Sequence, residues 1–212
     1  MKIYEIEAGE KEPIAPEDEI TDRLNHVIPL VQQHCTQSLH AMRETGKYLY
    51  RGIKQSPPLV FLGQSRNNRN PSASPGQFQR NVDAAFNMAG FKALRSNSIF
   101  VSSSISEAKN YSYEGVYLIF PVDGFSFTWS PRISDLYIDE YNIFDDYTKR
   151  TLFFREDDAS PELLKEFLER SLYRNTDFTS AIESTNEIMI SGKYYAIHSK
   201  YAEQPGLKQL MI

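Results

Sequence analysis

The chain has 212 residues and a formal net charge of −5, which fits one domain and gives no overall basic field for holding a nucleic acid. Hydrophobic residues make up 41% of the chain, with 13 Tyr and 13 Phe, which argues against disorder and predicts an aromatic core. Cys35 is the only cysteine, so the sequence excludes an internal disulfide and a cysteine-rich zinc site.

Residues 1–45 are predicted to form an acidic arm followed by a helix. Apolar residues recur at helical intervals, at Ile20, Leu24, Val27, Leu30 and Val31. Thr21 or Asp22 is expected to cap this helix, Pro29 to break or kink it, and Gly46 to end it. The first residues lack the apolar core of a signal peptide, and no run approaches the length of a membrane span. We therefore expect a soluble, cytoplasmic monomer.

The middle of the chain alternates strand and helix patterns. "KYLYRGI" predicts a short strand, and residues 55–76, rich in Pro, Ser and Asn, predict a long loop. "QFQRNVDAAFNMAGF" has helical spacing, "SIFVSSS" predicts a strand, and "SISEAKNYS" a short helix.

The second half is dominated by short strands. "GVYLIFPV" and the alternating "GFSFTWS" predict two strands, whereas residues 131–160 have no clear pattern. "SPELLKEFLERSLYR" predicts a helix with a serine cap and a proline in its first turn. "EIMIS" and "YYAIHS" predict a hairpin with a tight turn at "GK". The order favours an α+β fold with antiparallel or mixed sheets, in one domain spanning 1–212.

Three features with chemical potential follow one another along the chain. "LYRG" sets Arg51 on a strand directly before a glycine, "FVSSS" ends a strand with a serine triplet, and "NEIMI" starts a strand with Glu187. This ordered set resembles the mono-ADP-ribosyltransferases of the Arg–Ser–Glu type, which include bacterial toxins and phage-encoded enzymes. The resemblance covers roughly residues 47–198.

The resemblance implies a fold, an activity and a set of site residues. It implies two packed antiparallel or mixed sheets that form an NAD cleft, with the N-terminal helices beside them. It implies a glycosyltransferase that uses NAD⁺ as co-substrate, with Arg51, Ser102 and Glu187 as catalytic residues. The implied cofactor-binding residues are Arg51, Gly52, Ser102, Ser103, Ser104, Tyr111 and Glu187. Tyr113 and Phe125 are alternatives to Tyr111 for stacking on the nicotinamide.

These residue types suit the chemistry that the resemblance implies. An arginine fork can hold pyrophosphate oxygens in a bidentate way. The bond to nicotinamide breaks through an oxocarbenium-like state, which a nearby carboxylate stabilises. A serine hydroxyl can donate to that carboxylate and fix its rotamer.

The acceptor is expected to be a macromolecule, either a protein side chain or a nucleic-acid base. Arginine-directed members carry a second glutamate two residues before the catalytic one, where this chain has Thr185. A threonine activates an incoming guanidinium poorly, so arginine is not expected as acceptor. Residues 178–186 are the expected acceptor-facing loop, with Phe178 and Thr185 as contacts. A phage or toxin system, in a bacterial or infected host cell, is the expected setting.

Other charged residues have weaker interpretations. Arg66 and Arg69 could hold phosphates or be solvated loop charges, and Arg132 could approach the cofactor. The four histidines share no ligand spacing, so we predict no metal site.

A second function stays open at this stage. A non-enzymatic phage structural or host-interaction module could retain such a fold. The acidic and aromatic segment 135–147, "DLYIDEYNIFDDY", supports it as a possible interface.

Overall fold

The chain folds as a mixed α+β structure with two sheets and several helices. A computed structural model describes residues 3–4, 17–54, 57–68, 76–112, 115–136 and 160–212. The described helices are α1 (Glu17–His34), α2 (Thr36–Thr45), α3 (Gly76–Met88), α4 (Ile105–Asn110), α5 (Pro161–Arg170), α6 (Phe178–Ser184) and α7 (Pro205–Leu210). The described strands are β1 (Ile3–Tyr4), β2 (Tyr50–Ile53), β3 (Val60–Gln64), β4 (Ile99–Val101), β5 (Gly115–Pro121), β6 (Ser126–Trp129), β7 (Ile188–Ser191) and β8 (Lys193–His198).

The larger sheet has five strands in the order β1-β3-β8-β5-β2. Only its β1–β3 pair is parallel; the other three pairs are antiparallel. β5 and β8 read as apolar runs, and their side chains are almost all buried, which explains their central positions.

The smaller sheet has three antiparallel strands in the order β4-β7-β6. β7 and β8 belong to different sheets, so the predicted hairpin is wrong. Gly192 alone separates the two strands, and its φ of 142° lets the chain turn from one sheet to the other. A one-residue connection is too short for a hairpin turn.

The apolar core forms two clusters. The larger one contains side chains from α1, α2, both sheets and α6, and the smaller one joins α3 and α5 to one face of the three-stranded sheet. β7 serves both clusters because its side chains alternate: Ile188 and Ile190 enter the larger cluster, and Met189 enters the smaller one.

The N-terminal helical region differs from its prediction. α1 begins at Glu17, so Thr21 and Asp22 lie inside it and do not cap it. The helix continues through Pro29, and the break comes at Cys35. Asp123 stabilises the start of α2 at that break, because its carboxylate accepts the backbone N–H groups of Thr36 at 3.1 Å and Gln37 at 2.9 Å.

The proline-rich segment was predicted as a long loop, yet it contains β3. Val60–Gln64 pairs with β8 and lies inside the five-stranded sheet. Tertiary pairing overrides the turn-rich flanks here. By contrast, α5 follows its prediction, with Ser160 accepting the N–H of Leu163 at 3.3 Å.

Membrane-crossing potential was assessed on the helices of the described ranges. None of them combines the length and the apolar character that a membrane span needs.

Candidate functional site

The backbone brings the three sequence motifs to neighbouring strands. Tyr50, the residue before Arg51, forms an antiparallel bridge with Ser102, with N–H···O distances of 2.7 and 3.0 Å. β4 pairs with β7, and its last residue lies opposite Ile188. The described pairing ends there, and Ser102 and Glu187 are the residues directly beyond it on the two segments. The arginine motif on β2, the serine motif after β4 and the glutamate motif before β7 therefore lie on neighbouring segments.

The Arg51 side chain points to the face of β2 opposite to that of Tyr50, because side chains alternate along a strand. Its Nη1 donates to the Tyr194 hydroxyl at 3.2 Å. Tyr194 is 1% exposed, and Gly63 makes room for its ring, since a Cβ there would lie 2.5 Å from Tyr194 Cζ. Arg51 is half-buried and has no carboxylate partner among the described residues.

Gly52 lies where α4 crosses β2. A Cβ at this position would be 2.1 Å from the Ala108 carbonyl oxygen and 2.9 Å from the carbonyl carbon of Tyr111. Both are backbone atoms, so a side chain here requires α4 to move. The observed role of Gly52 is to allow this close packing, and its position gives no support to the predicted cofactor contact.

The serine triplet that follows β4 forms hydrogen bonds to neighbouring segments. Ser102 Oγ donates to the Thr185 carbonyl oxygen at 2.5 Å and accepts the N–H of Ser104 at 3.0 Å. Ser103 Oγ donates to the carbonyl oxygen of Ile182. Ser104 Oγ accepts an N–H from the first turn of α4 at 3.3 Å and so caps that helix. Ser102 and Ser103 thus hold the segment that leads into Glu187, whereas Ser104 caps α4; none of these bonds is to the Glu187 carboxylate.

Glu187 lies beside a buried arginine. Its backbone N–H donates to the Ser134 carbonyl oxygen at 2.9 Å, and its side chain is 21% exposed. Glu187 Oε1 lies 3.8 Å from Nη1 of Arg95, whose side chain is 7% exposed. Arg95 Nε donates to Gln79 Oε1 at 3.2 Å, and its guanidinium lies over the Phe100 ring. Glu187 is therefore a partly exposed carboxylate with a fixed cation behind it.

Tyr111 is under the electrostatic influence of this carboxylate. Its hydroxyl donates to Asp135 Oδ2, and its side chain is partly exposed. Burial, the bond to Asp135 and the negative charges of Asp135, Glu187 and Glu107 together raise the pKa of Tyr111. The Tyr111 ring is exposed, whereas Phe125 is buried in the core; stacking of Tyr111 on a nicotinamide stays a prediction.

The two predicted acceptor contacts have different surroundings. The Phe178 ring packs against Phe125 and Phe127, with ring centroids 5.0 and 4.7 Å apart, and it is buried in the core. Its position gives no support to the predicted acceptor contact. Thr185 is exposed and ends α6 with a left-handed φ of 63°. Thr185 therefore lies at the surface near Glu187, as an acceptor-facing residue requires.

The remaining predicted cations lie apart from these contacts or outside the described ranges. Arg132 Nη1 donates to the Arg170 carbonyl oxygen at 3.0 Å, and Arg66 is exposed. Arg69, Tyr113 and most of segment 135–147 fall outside the described residues. Within the described ranges, no group of three or more His, Cys, Asp or Glu side chains could hold a metal ion.

Sequence reasoning missed three residues of the site: Arg95, Tyr194 and Asp135. Arg95 lies in the irregular segment between α3 and β4, where no periodicity singles it out. Tyr194 reads as an ordinary strand aromatic. Only the pairing of distant segments brings these groups to Arg51 and Glu187.

Comparisons of the chain with protein-family models, with curated proteins and with solved structures found no match.

Proposed function

We propose that this chain is an NAD⁺-dependent mono-ADP-ribosyltransferase that modifies a macromolecular acceptor. The observation that carries the proposal is the adjacency of three strands. β2 carries Arg51, and Tyr50 next to it bridges to Ser102. β4 ends one residue before Ser102 and pairs with β7, which begins one residue after Glu187. Residues 51, 102 and 187 are far apart in sequence, and the pairing brings the segments that carry them together.

The proposed reaction replaces nicotinamide by an acceptor at one carbon. The bond between ribose C1′ and the nicotinamide ring nitrogen breaks, and nicotinamide leaves with the electron pair as a neutral molecule. The Glu187 carboxylate stabilises the positive charge that develops on the ribose. An acceptor nucleophile then bonds to C1′ and releases its proton.

Two further features support a dinucleotide ligand. The half-buried Arg51 guanidinium has a neutral hydroxyl as its described partner, so it can offer its charge to a pyrophosphate. The partly exposed ring of Tyr111 lies near Glu187 and could stack on a flat heteroaromatic group. The finer fold assignment, an ADP-ribosyltransferase fold with an NAD cleft between the sheets, belongs to this proposal.

The acceptor is proposed to be a protein side chain other than arginine or a nucleic-acid base. Thr185 occupies the position where arginine-directed enzymes carry a second glutamate, and a hydroxyl is a weak general base.

Labelled NAD⁺ tests the proposal directly. The purified protein is incubated with labelled NAD⁺ and cell lysate, and label in protein and RNA fractions is measured together with free nicotinamide. Glu187→Gln removes the negative charge and keeps the shape, so we expect transfer to fall by about 10²–10³-fold. Glu169→Gln is the matched control, because Glu169 is exposed on α5, outside the acceptor-facing segment, and the change should leave transfer unchanged.

The same experiment has a result that would contradict the proposal. A folded wild-type protein that neither transfers label nor releases nicotinamide is not this enzyme. That result favours the non-enzymatic interaction module.

A further inference from the structure

Arg95 is held more tightly than a surface arginine. Its backbone N–H donates to Asp83 Oδ1 at 2.9 Å, and its Nε donates to Gln79 Oε1 at 3.2 Å. Gln79 is itself fixed, because its Nε2 donates to Asp83 Oδ2 at 3.2 Å. The guanidinium carbon lies 5.1 Å from the centre of the Phe100 ring. With a relative exposure of 6%, the guanidinium has little freedom to move.

One end of this guanidinium is directed at Glu187. Arg95 Nη1 is buried and has no hydrogen-bond partner within the described ranges, and it lies 3.8 Å from Glu187 Oε1. A buried charged donor without a hydrogen bond is unfavourable unless an opposite charge offsets it. The Glu187 carboxylate is that charge.

Negative charges disfavour the ionised form of Glu187, whereas the positive charge of Arg95 favours it. Tyr111, which directly follows α4, donates its hydroxyl to Asp135, and burial, this bond and the negative charges of Asp135, Glu187 and Glu107 raise its pKa. Three carboxylates in one neighbourhood disfavour one another's ionised forms. Arg95 is the described cation paired with Glu187, so it offsets that repulsion.

We propose that Arg95 is the positioning residue of Glu187: it keeps the carboxylate ionised and holds it in one orientation over the site. Its catalytic consequence rests on the proposed function, whereas its effect on the carboxylate does not. Arg95 acts through Glu187 and is not proposed to touch the substrate.

The first test measures Glu187 itself and needs no activity. The titration of the Glu187 side chain is followed by carbon-13 NMR in the wild type, Arg95→Gln and Arg95→Lys, with Glu187→Gln assigning the resonance. Losing the cation should raise the pKa of Glu187 in Arg95→Gln, because an opposite charge favours the ionised carboxylate. Arg95→Lys keeps a positive charge and should stay nearer the wild type. Unchanged titration in a folded Arg95→Gln protein overturns the proposal.

Two further variants keep this test decisive. Arg132→Gln is the matched control, because Arg132 is exposed and bonds to a carbonyl oxygen of α5, so it should leave the titration unchanged. Gln79→Met releases the Nε side of Arg95 without removing its charge. It should also raise the pKa of Glu187, and by less than Arg95→Gln; an unchanged value in this variant counts against the anchoring role.

The second test applies to the active enzyme and separates positioning from binding. Misplacing a catalytic group by about 1 Å lowers turnover roughly 100-fold, so kcat for nicotinamide release should fall by about that factor in Arg95→Gln. KM for NAD⁺ should change little. A raised KM with kcat unchanged would mean that Arg95 binds ligand, which overturns the positioning role. Inactivity of the wild type contradicts the proposed function, and the titration still decides the role of Arg95.

Discussion

The two sheets hold their share of the site in different ways. In the five-stranded sheet, Arg51 lies on β2, which pairs with β5. Its guanidinium donates to the hydroxyl of the buried Tyr194. The three-stranded sheet carries buried polar groups on the side that faces α3 and α5, and Glu187 and Arg95 lie at its end.

The buried groups of the two sheets contribute differently to the stability of the fold. An apolar sheet gains from every side chain that it buries, whereas a buried ion pair recovers its desolvation cost only with good geometry. Buried Arg95 Nη1 and Thr128 Oγ1 have no hydrogen-bond partner within the described ranges. Buried groups of this kind are unusual in native structures, and both of these lie in or beside the smaller sheet.

The largest expected effect comes from the junction of α4 with the larger sheet. Gly52→Ala sets a Cβ 2.1 Å from the Ala108 carbonyl oxygen, so α4 must shift. We expect a loss of about 3 kcal/mol in the free energy of unfolding, measured by urea denaturation. Gly76→Ala is the control, because its nearest contact is Arg80 Nη1 at 3.5 Å, and it should change stability by less than about 1 kcal/mol. Equal effects of the two variants would contradict the close packing of α4 on β2.

Two hydroxyl groups of the smaller sheet, those of Thr128 on β6 and Ser130 just after it, differ in their hydrogen bonding. Ser130 Oγ donates to the Ser171 carbonyl oxygen at 2.6 Å and accepts the N–H groups of Arg132 at 3.0 Å and Ile133 at 3.1 Å. Ser130→Ala should therefore lower the free energy of unfolding by about 2 kcal/mol.

Thr128→Val should have the opposite sign. Its Oγ1 is fully buried without a hydrogen bond in the described ranges, so a methyl group of similar size should raise the free energy of unfolding by about 1 kcal/mol. Urea titrations of both variants decide the matter. A destabilised Thr128→Val protein would show that this hydroxyl has a partner, such as a bound water.

The smallest expected effect on stability concerns Cys35, which contacts β5 of the larger sheet. Cys35 donates to the Phe120 carbonyl oxygen of β5, and burial together with the negative charge of Asp123 raises its pKa from 9.0 to about 12. The folded thiol keeps its proton where the unfolded thiol loses it, so its contribution to stability is complete below pH 9 and falls as pH rises towards 12.

Between pH 8 and pH 9.5 this loss amounts to roughly 0.8 kcal/mol. Comparing the free energy of unfolding of the wild type and Cys35→Ala across that range isolates it from the tyrosines. The same slope in both proteins would show that Cys35 titrates normally in the folded state.

Sequence patterns predicted those elements whose signal is local. The Ser160 cap and the leucine stripe predicted α5, and alternation predicted β6. Sequence patterns gave wrong predictions where contacts with distant segments determine the structure. Pro29 lies within α1, β3 occupies a segment rich in turn formers, and β7 and β8 belong to different sheets. A distant carboxylate or a neighbouring strand supplies the missing hydrogen bonds at those places, and no local pattern records it.

The sequence by itself determined that the chain is an aromatic-rich α+β protein with Arg51, a serine triplet and Glu187 in that order on strands. Composition and periodicity carry this information, because they reflect burial and backbone spacing. Only the tertiary structure decided that β4 lies between β2 and β7 and that Ser103 bonds to α6. It also decided that Gly52 lets α4 pack on β2, that Phe178 lies in the core, and that Arg95 lies beside Glu187. Those contacts join residues far apart in the chain, and their energies depend on distances and burial that exist only after folding.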